Sequence, residues 1–250
     1  MSENNYEYFK NWYLELTRDD VRINEDRTKQ EVNFLEKILD LPKGAKILDL
    51  CCGHGRHLIL LAKKYDMTGL DMDEKALEEA RAKAKENKVS PRIVSGDMRD
   101  IPFRDEFDAV VNMFTSFGYF NDDSENLKVL KEINMSLKNN GLLVLDLRNK
   151  KETDNFLPRH WFKHKDKYFL MENSFNESSD QEEVKMIVID EKGGVQNTGF
   201  SIKLYSLDRI TGMLNEAGFS VQEKYGSIDG AQYSTSSNRM ILLAKKVRGF

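Results

Sequence analysis

Two spacings of apolar residues alternate along the first part of the chain. Short, nearly continuous apolar runs, such as the one from Phe107 to Met113, are typical of strands buried inside a parallel sheet. Between these runs, apolar residues recur three or four positions apart, as at Leu127, Leu130 and Ile133, which predicts amphipathic helices. Strands and helices that alternate in this way predict a doubly wound α/β fold with a mostly parallel sheet covered on both faces.

Turn residues divide the pattern into elements. Pro42 and Gly44 end a first amphipathic stretch, and Asp73 is placed to cap a later helix. Asn139-Asn140-Gly141 is expected to terminate the helix before the fifth strand, since these residues tolerate left-handed backbone. The predicted strands cover residues 46–50, 67–70, 92–95, 107–113 and 142–147.

After Arg148 the pattern changes to short alternating runs, and Gly193-Gly194 is typical of a hairpin turn. We therefore predict a small antiparallel β insertion over residues 149–205. A helix over 207–217 and two strands over 220–225 and 239–246 follow it. The predicted main domain consists of residues 1–148 and 206–250.

Composition limits the function classes. The chain has 250 residues, 40% of them hydrophobic, and a net charge of −4, which provides no general attraction for nucleic acid. The sequence contains no apolar run long enough to span a membrane and no secretory signal pattern. The adjacent Cys51 and Cys52 are expected to be reduced thiols, as in the cytoplasm, which is the expected location.

Acidic residues stand at the ends of the first three predicted strands. Asp49 lies in the first strand, just before a turn that contains Gly53 and Gly55, where backbone can approach a ligand closely. Asp71 ends the second strand, where a carboxylate can accept both hydroxyls of a ribose. Asp97 follows the third strand and can accept an exocyclic adenine amine. Carboxyl ends of parallel strands share one sheet edge, so we predict an adenosine-like ligand there.

At these residues the chain resembles the class I S-adenosylmethionine-dependent methyltransferase family. The resemblance is carried by five segments, which are residues 49–55, 68–72, 96–98, 107–113 and 137–144. It implies a seven-stranded sheet closed by an antiparallel last strand, with S-adenosylmethionine as the cofactor. The inserted segment resembles one found in uncharacterised bacterial and archaeal members.

The resemblance also implies residue roles. The methionine part of the cofactor would lie beside Asp49, Cys51, Gly53 and Gly55, with His57 near its carboxylate. Asp71 would hold the ribose, and the adenine would contact Met72, Asp97 and Met98, with Met113 and Phe114 lining the site beyond the fourth strand. Cys51 departs from the family pattern, which has glycine there. A thiol side chain is tolerated if the backbone dihedrals at this position are ordinary, whereas a positive φ would count against this placement of the turn.

The sequence defines the residues that would face the methyl acceptor less well than those that would hold the cofactor. Phe117, Tyr119 and Arg148 are candidates to face the acceptor, although aromatic residues here are equally consistent with core packing. No catalytic residue is identified. Aromatic residues near the N-terminus predict either a lid helix or packing against the main domain. These residues are Tyr6, Tyr8, Trp12 and Tyr13.

Other chemistries fit less well. A dinucleotide-binding dehydrogenase would require a third glycine, where the chain has Leu58. Cys51, Cys52, His54 and His57 on one tight turn would converge poorly on a metal, so no metal is expected, and a structural role is favoured over a cysteine nucleophile. The leading hypothesis is methyl transfer to N or O of a small molecule. An RNA or protein methyltransferase and a non-catalytic regulatory protein that binds the cofactor are the alternatives, although the acidic charge disfavours nucleic acid.

Overall fold

The computed structural model describes residues 24–150 and 157–249, together with Asn5, Tyr8, Trp12 and Leu16. Its helices are α1 (Glu25–Leu39), α2 (Arg56–Leu61), α3 (Glu74–Glu86), α4 (Asp123–Ser136) and α5 (Leu207–Glu216). Its strands are β1 (Lys46–Leu50), β2 (Asp66–Asp71), β3 (Arg92–Ser95), β4 (Phe107–Asn112), β5 (Leu137–Arg148), β6 (Arg159–His164), β7 (Lys167–Asn176), β8 (Gln181–Asp190), β9 (Val195–Lys203), β10 (Phe219–Tyr225) and β11 (Arg239–Lys246).

Seven strands form the main sheet in the order β10-β11-β5-β4-β1-β2-β3. The pairs between β5, β4, β1, β2 and β3 are parallel, whereas β11 is antiparallel to both of its neighbours. This confirms the predicted fold class. Strand order reverses direction between β1 and β4, and open α/β sheets bind their ligands at the carboxyl ends of strands beside such a reversal.

Side chains of β1 point alternately to the two faces of the main sheet, and each face packs against its own hydrophobic core. Leu48 and Leu50 of β1 face one hydrophobic cluster, and Ile47 faces the other, where α1 packs. All three side chains are fully buried. Each of these side chains contributes about 1.5–3 kcal/mol by leaving water. Side chains two residues apart in a strand point to the same face of the sheet, so Asp49 lies on the α1 side together with Ile47.

Capping side chains mark the first residues of α1 and α3. The side chain of Asn24 accepts a hydrogen bond from the backbone N–H of Arg27 at the start of α1. Asp73 accepts from the N–H groups of Lys75 and Ala76, which confirms the predicted cap of α3. Such caps satisfy backbone donors that have no partner within the helix.

The junction between α4 and β5 differs from the prediction. The helix ends at Ser136, and β5 begins at Leu137 rather than at residue 142. Leu137 is fully buried and pairs with Phe107 of β4, so tertiary packing draws it into the strand. Asn140 does adopt left-handed backbone, at φ 64°, but it does so inside an irregular strand instead of at a helix end.

The second sheet is antiparallel, in the order β6-β7-β8-β9, and lies within the segment predicted as an insertion. Gly193 has φ 81° in the turn between β8 and β9, which confirms the predicted hairpin. Tyr8 and Trp12 pack against this sheet in one cluster with Phe169, rather than against the main sheet. Tyr6 and Tyr13 lie outside the described residues. No helix in the described ranges is both long and apolar enough to cross a membrane.

Candidate active site

Backbone hydrogen bonds join the turn after β1 to the end of β2. The N–H of Cys51 donates to the carbonyl of Leu70 over 2.7 Å, and the N–H of Gly53 donates to Asp71 Oδ2 over 2.8 Å. Asp71 is in turn paired in register with Ser95, two residues before Asp97. The structure therefore brings Asp49, Asp71 and Asp97 to the carboxyl edge of three neighbouring strands, as predicted.

Two glycines shape this turn in different ways. Gly55 has φ 80°, and a Cβ there would lie 3.0 Å from the Cβ of Ala80, so glycine permits close packing of the turn on α3. Gly53 has φ 52°, and a Cβ built there would meet no atom within 4 Å. The backbone at Gly53 therefore borders open space, which is where a ligand could approach.

The condition set for a thiol at position 51, ordinary backbone dihedrals, is not met in the structure. The φ of Cys51 is 63°, in the left-handed region that costs a residue with a Cβ about 1–2 kcal/mol. The turn nevertheless remains between β1 and α2, because the Cys51 N–H is bound to Leu70 and its Sγ lies 3.6 Å from the Met98 sulfur. The turn thus has left-handed backbone at a residue that carries a thiol side chain.

Asp49 is a buried carboxylate with one oxygen, Oδ2, that lacks a hydrogen-bond partner among the described residues. Burial raises the pKa of Asp49 to about 7, although the nearby Arg56 charge acts in the opposite direction. An unpartnered buried oxygen is costly, so its position beside the open turn suits a ligand that donates to it.

We expect the ligand-free Asp49→Asn variant to have a higher free energy of unfolding than the wild type at pH 8, and a smaller advantage at pH 4. The pKa of Asp49 is raised in the folded state, so wild-type stability falls as pH rises from about 4 to about 7 and then levels off. The variant lacks this loss, and the gain is on the order of 4 kcal/mol, because the pKa rises from 3.8 to about 7 and each pKa unit corresponds to about 1.4 kcal/mol. Urea unfolding of both proteins from pH 4 to pH 8 measures it. Parallel stability curves for the two proteins would contradict the assignment.

Asp71 and Asp97 are held by different partners. Asp71 accepts from the N–H groups of Gly53 and Asp73, at 2.8 and 2.9 Å, and its burial raises its pKa. Asp97 forms a two-pronged ion pair with Arg99, whose nearest nitrogen lies 2.6 Å from Oδ2. Burial would raise the pKa of Asp97, but its hydrogen bonds from Arg99 outweigh burial and lower it. Both carboxylates are fixed in place. Asp71 keeps lone pairs for a ligand, whereas Asp97 also accepts from the backbone N–H of Arg99.

Arg99 was missed by the sequence analysis. It also reaches Glu125 of α4 over 2.5 Å, and its guanidinium lies 4.5 Å from the centre of the Phe120 ring. Arg99 therefore ties the end of β3 to α4. Its sequence signal is its position two residues after Asp97, within reach of the Asp97 carboxylate.

The methionines predicted for the site differ in exposure. Met72 is 39% exposed at the end of β2, although it is a large apolar side chain. Met98 and Met113 are buried, Met98 in the cluster that holds Leu48 and Met113 in the cluster beneath α1. Of the three, Met72 thus has the most side-chain surface left for a ligand.

Phe114 lies between two arginines just past β4. Its N–H donates to Asp146 Oδ2 over 2.8 Å, and its φ is 59°. The guanidinium of Arg56 lies 5.0 Å from the ring centre and that of Arg239 lies 5.6 Å from it. These cation–π contacts hold the ring at the carboxyl edge of the sheet.

A buried charge cluster behind the glycine turn was also missed. Glu31 of α1 is buried and accepts from His57 Nε2 over 2.8 Å, and it also pairs with Arg56. Burial lowers the pKa of His57, which favours the neutral ring. His57 was predicted near a cofactor carboxylate, whereas its Nε2 is engaged by Glu31. The available signal was a glutamate next to Val32, within the apolar stripe of α1.

The acceptor candidates are not equivalent in the structure. Phe117 is 1% exposed and packs in the core, with its ring centre 5.8 Å from that of Tyr205, so packing accounts for this residue. Tyr119 is half-buried beside Phe200 of the second sheet. Arg148, at the end of β5, forms an ion pair of 2.7 Å with the buried Glu182 of β8.

Comparisons agree with this geometry. Residues 47–141 match the family model of the methyltransferase domain. A relative in Geobacillus sp. (strain WCH70), provisionally assigned as a methyltransferase, is 29% identical over 96% of this chain and 99% of its own. Glycine/sarcosine N-methyltransferase of Aphanothece halophytica is 25% identical over 96% of this chain and 92% of its own.

The fold is shared with solved structures as well. An S-adenosylmethionine-dependent methyltransferase from Clostridium acetobutylicum superposes with a TM-score of 0.80 at 20% identity, over 97% of this chain and 99% of that one. The superposition shows that the chain shares the Rossmann-like fold of this methyltransferase. Residues 47–141, which include Asp49, Asp71 and Asp97, match a methyltransferase domain, and the chain is similar over nearly its whole length to a relative assigned as a methyltransferase.

Proposed function

We propose that this enzyme transfers a methyl group from S-adenosylmethionine to a nitrogen or oxygen of a small-molecule acceptor. One observation carries the proposal. The buried Asp49 presents an unpartnered oxygen beside the open backbone at Gly53, on the edge that also holds Asp71 and Asp97. These residues fit an adenosine with an attached amino acid, because each supplies an acceptor where such a ligand has donors.

The residues that would hold the cofactor have distinct roles. Asp71 accepts from ribose hydroxyls with the lone pairs that Gly53 and Asp73 leave free. Asp97, fixed by Arg99, accepts from the adenine amine, and the exposed Met72 covers an adenine face. Asp49 lies next to the methionine part. When bound, S-adenosylmethionine supplies an electrophilic methyl carbon on a sulfonium.

The chain contributes chiefly orientation and exclusion of water. A rigid edge built on strand ends aligns the two reactants, which can lower the barrier by as much as about 7–11 kcal/mol. Phe114 is clamped by Arg56 and Arg239, so it forms a fixed apolar wall beyond β4. A neutral amine needs no base before it attacks, whereas a hydroxyl needs help with its proton. We assign no general base.

Two observations support a small acceptor over a macromolecule. The net charge of −4 provides no general attraction for RNA. A relative matched over nearly the whole chain carries a name that specifies glycine and sarcosine, both small amines. The cytoplasm is the proposed compartment, since both cysteines are free thiols.

Formation of S-adenosylhomocysteine in an acceptor screen tests this function. Small primary and secondary amines, small alcohols and phenols, bulk RNA and an unfolded protein would be incubated in separate arms with enzyme and S-adenosylmethionine. We expect turnover in a small-molecule arm, and its loss in the Asp71→Ala variant. Turnover confined to the RNA or protein arm would overturn the small-molecule assignment.

A further inference from the structure

One face of the second sheet carries exposed apolar side chains in the part of the chain that the structure describes. Phe169, Met186 and Val188 point inward and pack with Tyr8 and Trp12. The opposite side, here called the outer face, carries five of the eight large apolar side chains that are exposed among the described residues. They are Trp161 at 68%, Tyr168 at 38%, Leu170 at 39%, Ile187 at 39% and Val195 at 60%. Contiguous apolar surface of this kind marks interaction sites.

Strand register arranges the outer face in rows. The central row runs Trp161, Leu170, Ile187 and Asn197 across the four strands. On one side of it lies an alternating charged row formed by Arg159, Glu172 and Lys185. On the other side lies a row formed by Lys163, Tyr168, Ile189 and Val195.

The outer face is also curved. It borders a depression of about 1500 Å³ whose lining includes Trp161, Leu170, Glu172, Lys185 and Ile187. Two curved four-stranded sheets that face each other would enclose a side-chain core, as eight-stranded closed sheets do. The four strands have 6, 10, 10 and 9 residues. At a rise of about 3.4 Å per residue and a spacing of about 4.8 Å they present roughly 570 Å² per copy, so two copies bury about 1,100 Å². That area exceeds the roughly 1,000 Å² that a specific interface requires.

We propose that a second copy of this chain covers the outer face, related by a two-fold axis that runs parallel to the strands between β7 and β8. With this axis, β7 of one copy lies over β8 of the other and β6 lies over β9. Each row of one copy lies over the same row of the other copy. Glu172 of one copy then faces Lys185 of the other, and Leu170 faces Ile187, each pair occurring twice. Glu172 and Lys185 thus complement each other across the axis, as an isologous interface requires, and Arg159 faces Gly199 of the other copy.

The other in-plane axis, perpendicular to the strands, matches the rows badly. It would place Arg159 against Lys163 of the second copy, which repel each other. It would also place Glu172 against Tyr168 and Lys185 against Ile189, so that charges are buried against apolar side chains. The axis parallel to the strands also leaves one lysine against an apolar side chain, since Lys163 then faces Val195, but it pairs Glu172 with Lys185 and avoids the repulsion between Arg159 and Lys163. The charge pattern therefore favours that axis.

Sedimentation velocity of the full chain, over a range of concentrations, tests the assembly. We expect a dimer in the wild type and a rise of at least about 30-fold in its Kd for Leu170→Arg, since two arginines would meet in the apolar core. Val247→Arg is the matched control: Val247 is 62% exposed, just beyond β11, and its substitution leaves the dimer intact. A wild-type monomer at 100 µM, or a dimer unaffected by Leu170→Arg, would overturn the proposal.

A charge exchange identifies the axis. Glu172→Lys and Lys185→Glu each weaken the dimer, because each places like charges opposite each other across the two-fold axis. The double variant restores the opposite signs and recovers dimerisation. Thermal unfolding of all three variants monitors the fold. Two single variants that dimerise as wild type does, or a double variant weaker than either, would show that these residues do not meet in this way.

Discussion

Replacing Asp71 by alanine is expected to weaken S-adenosylhomocysteine binding by about 1–3 kcal/mol, or roughly 5- to 150-fold in Kd. The carboxylate is predicted to accept the ribose hydroxyls, and it also fixes the N–H groups of Gly53 and Asp73. Its removal takes away a direct contact and loosens the turn that lies beside it. Isothermal titration of both proteins measures the change.

Asp66→Ala is the matched control for this substitution. Asp66 begins β2 at the amino end of the same strand, where its side chain is exposed. It lies at the opposite edge of the sheet, so we expect its Kd to stay within about twofold of wild type, in line with a substitution away from the site. Equal affinities for Asp71→Ala and Asp66→Ala would show that the end of β2 does not hold the ribose.

Replacing Glu31 by alanine is expected to cost about 3–5 kcal/mol of unfolding free energy at pH 7, which is the typical loss when a buried ion pair loses one partner. Glu31 is the anionic partner of Arg56, whose side chain is only 12% exposed, and it binds the ring of His57. Removal would leave the arginine charge buried behind the glycine turn. Urea unfolding measures this loss.

The same substitution has a defined pH dependence. Burial would raise the pKa of Glu31, but hydrogen bonds and charges from His57 and Arg56 outweigh it and lower the pKa to about 2. The stabilisation from Glu31 is therefore present above about pH 4.5 and is lost as pH falls toward 2. The gap between wild type and Glu31→Ala should narrow over that range.

Glu36→Ala provides the control on the same helix. Glu36 pairs with Lys64 over 3.2 Å, and both side chains are about a third exposed. Exposed pairs contribute up to about 1 kcal/mol, so this variant should lose far less stability. Equal losses for the two glutamates would mean that the buried cluster does not stabilise the fold.

Sequence reasoning worked best where local pattern and topology agree. The run from Phe107 to Met113 and the helical spacing of Leu127 and Leu130 follow from which side chains must be buried, so these elements were predicted well. Once parallel strands are assigned, their carboxyl ends must share an edge. The convergence of Asp49, Asp71 and Asp97 therefore followed without coordinates.

Features that depend on distant partners were missed. The residues around Glu31 in the sequence do not predict its contacts with Arg56 and His57, which follow 25 and 26 positions later. The left-handed backbone at Cys51 is imposed by its hydrogen bond to β2 and not by its side chain. Phe117 carries the same aromatic signal as Tyr119, yet only the packed structure shows that one of them is core.

Titration of the wild-type protein with S-adenosylhomocysteine and with NADH in parallel tests the central claim most directly. If the carboxylates at the ends of β1, β2 and β3 form one adenosine site with a methionine-binding turn, S-adenosylhomocysteine binds with one molecule per chain and NADH does not compete. Saturable binding of NADH, without any heat from S-adenosylhomocysteine, would contradict that account.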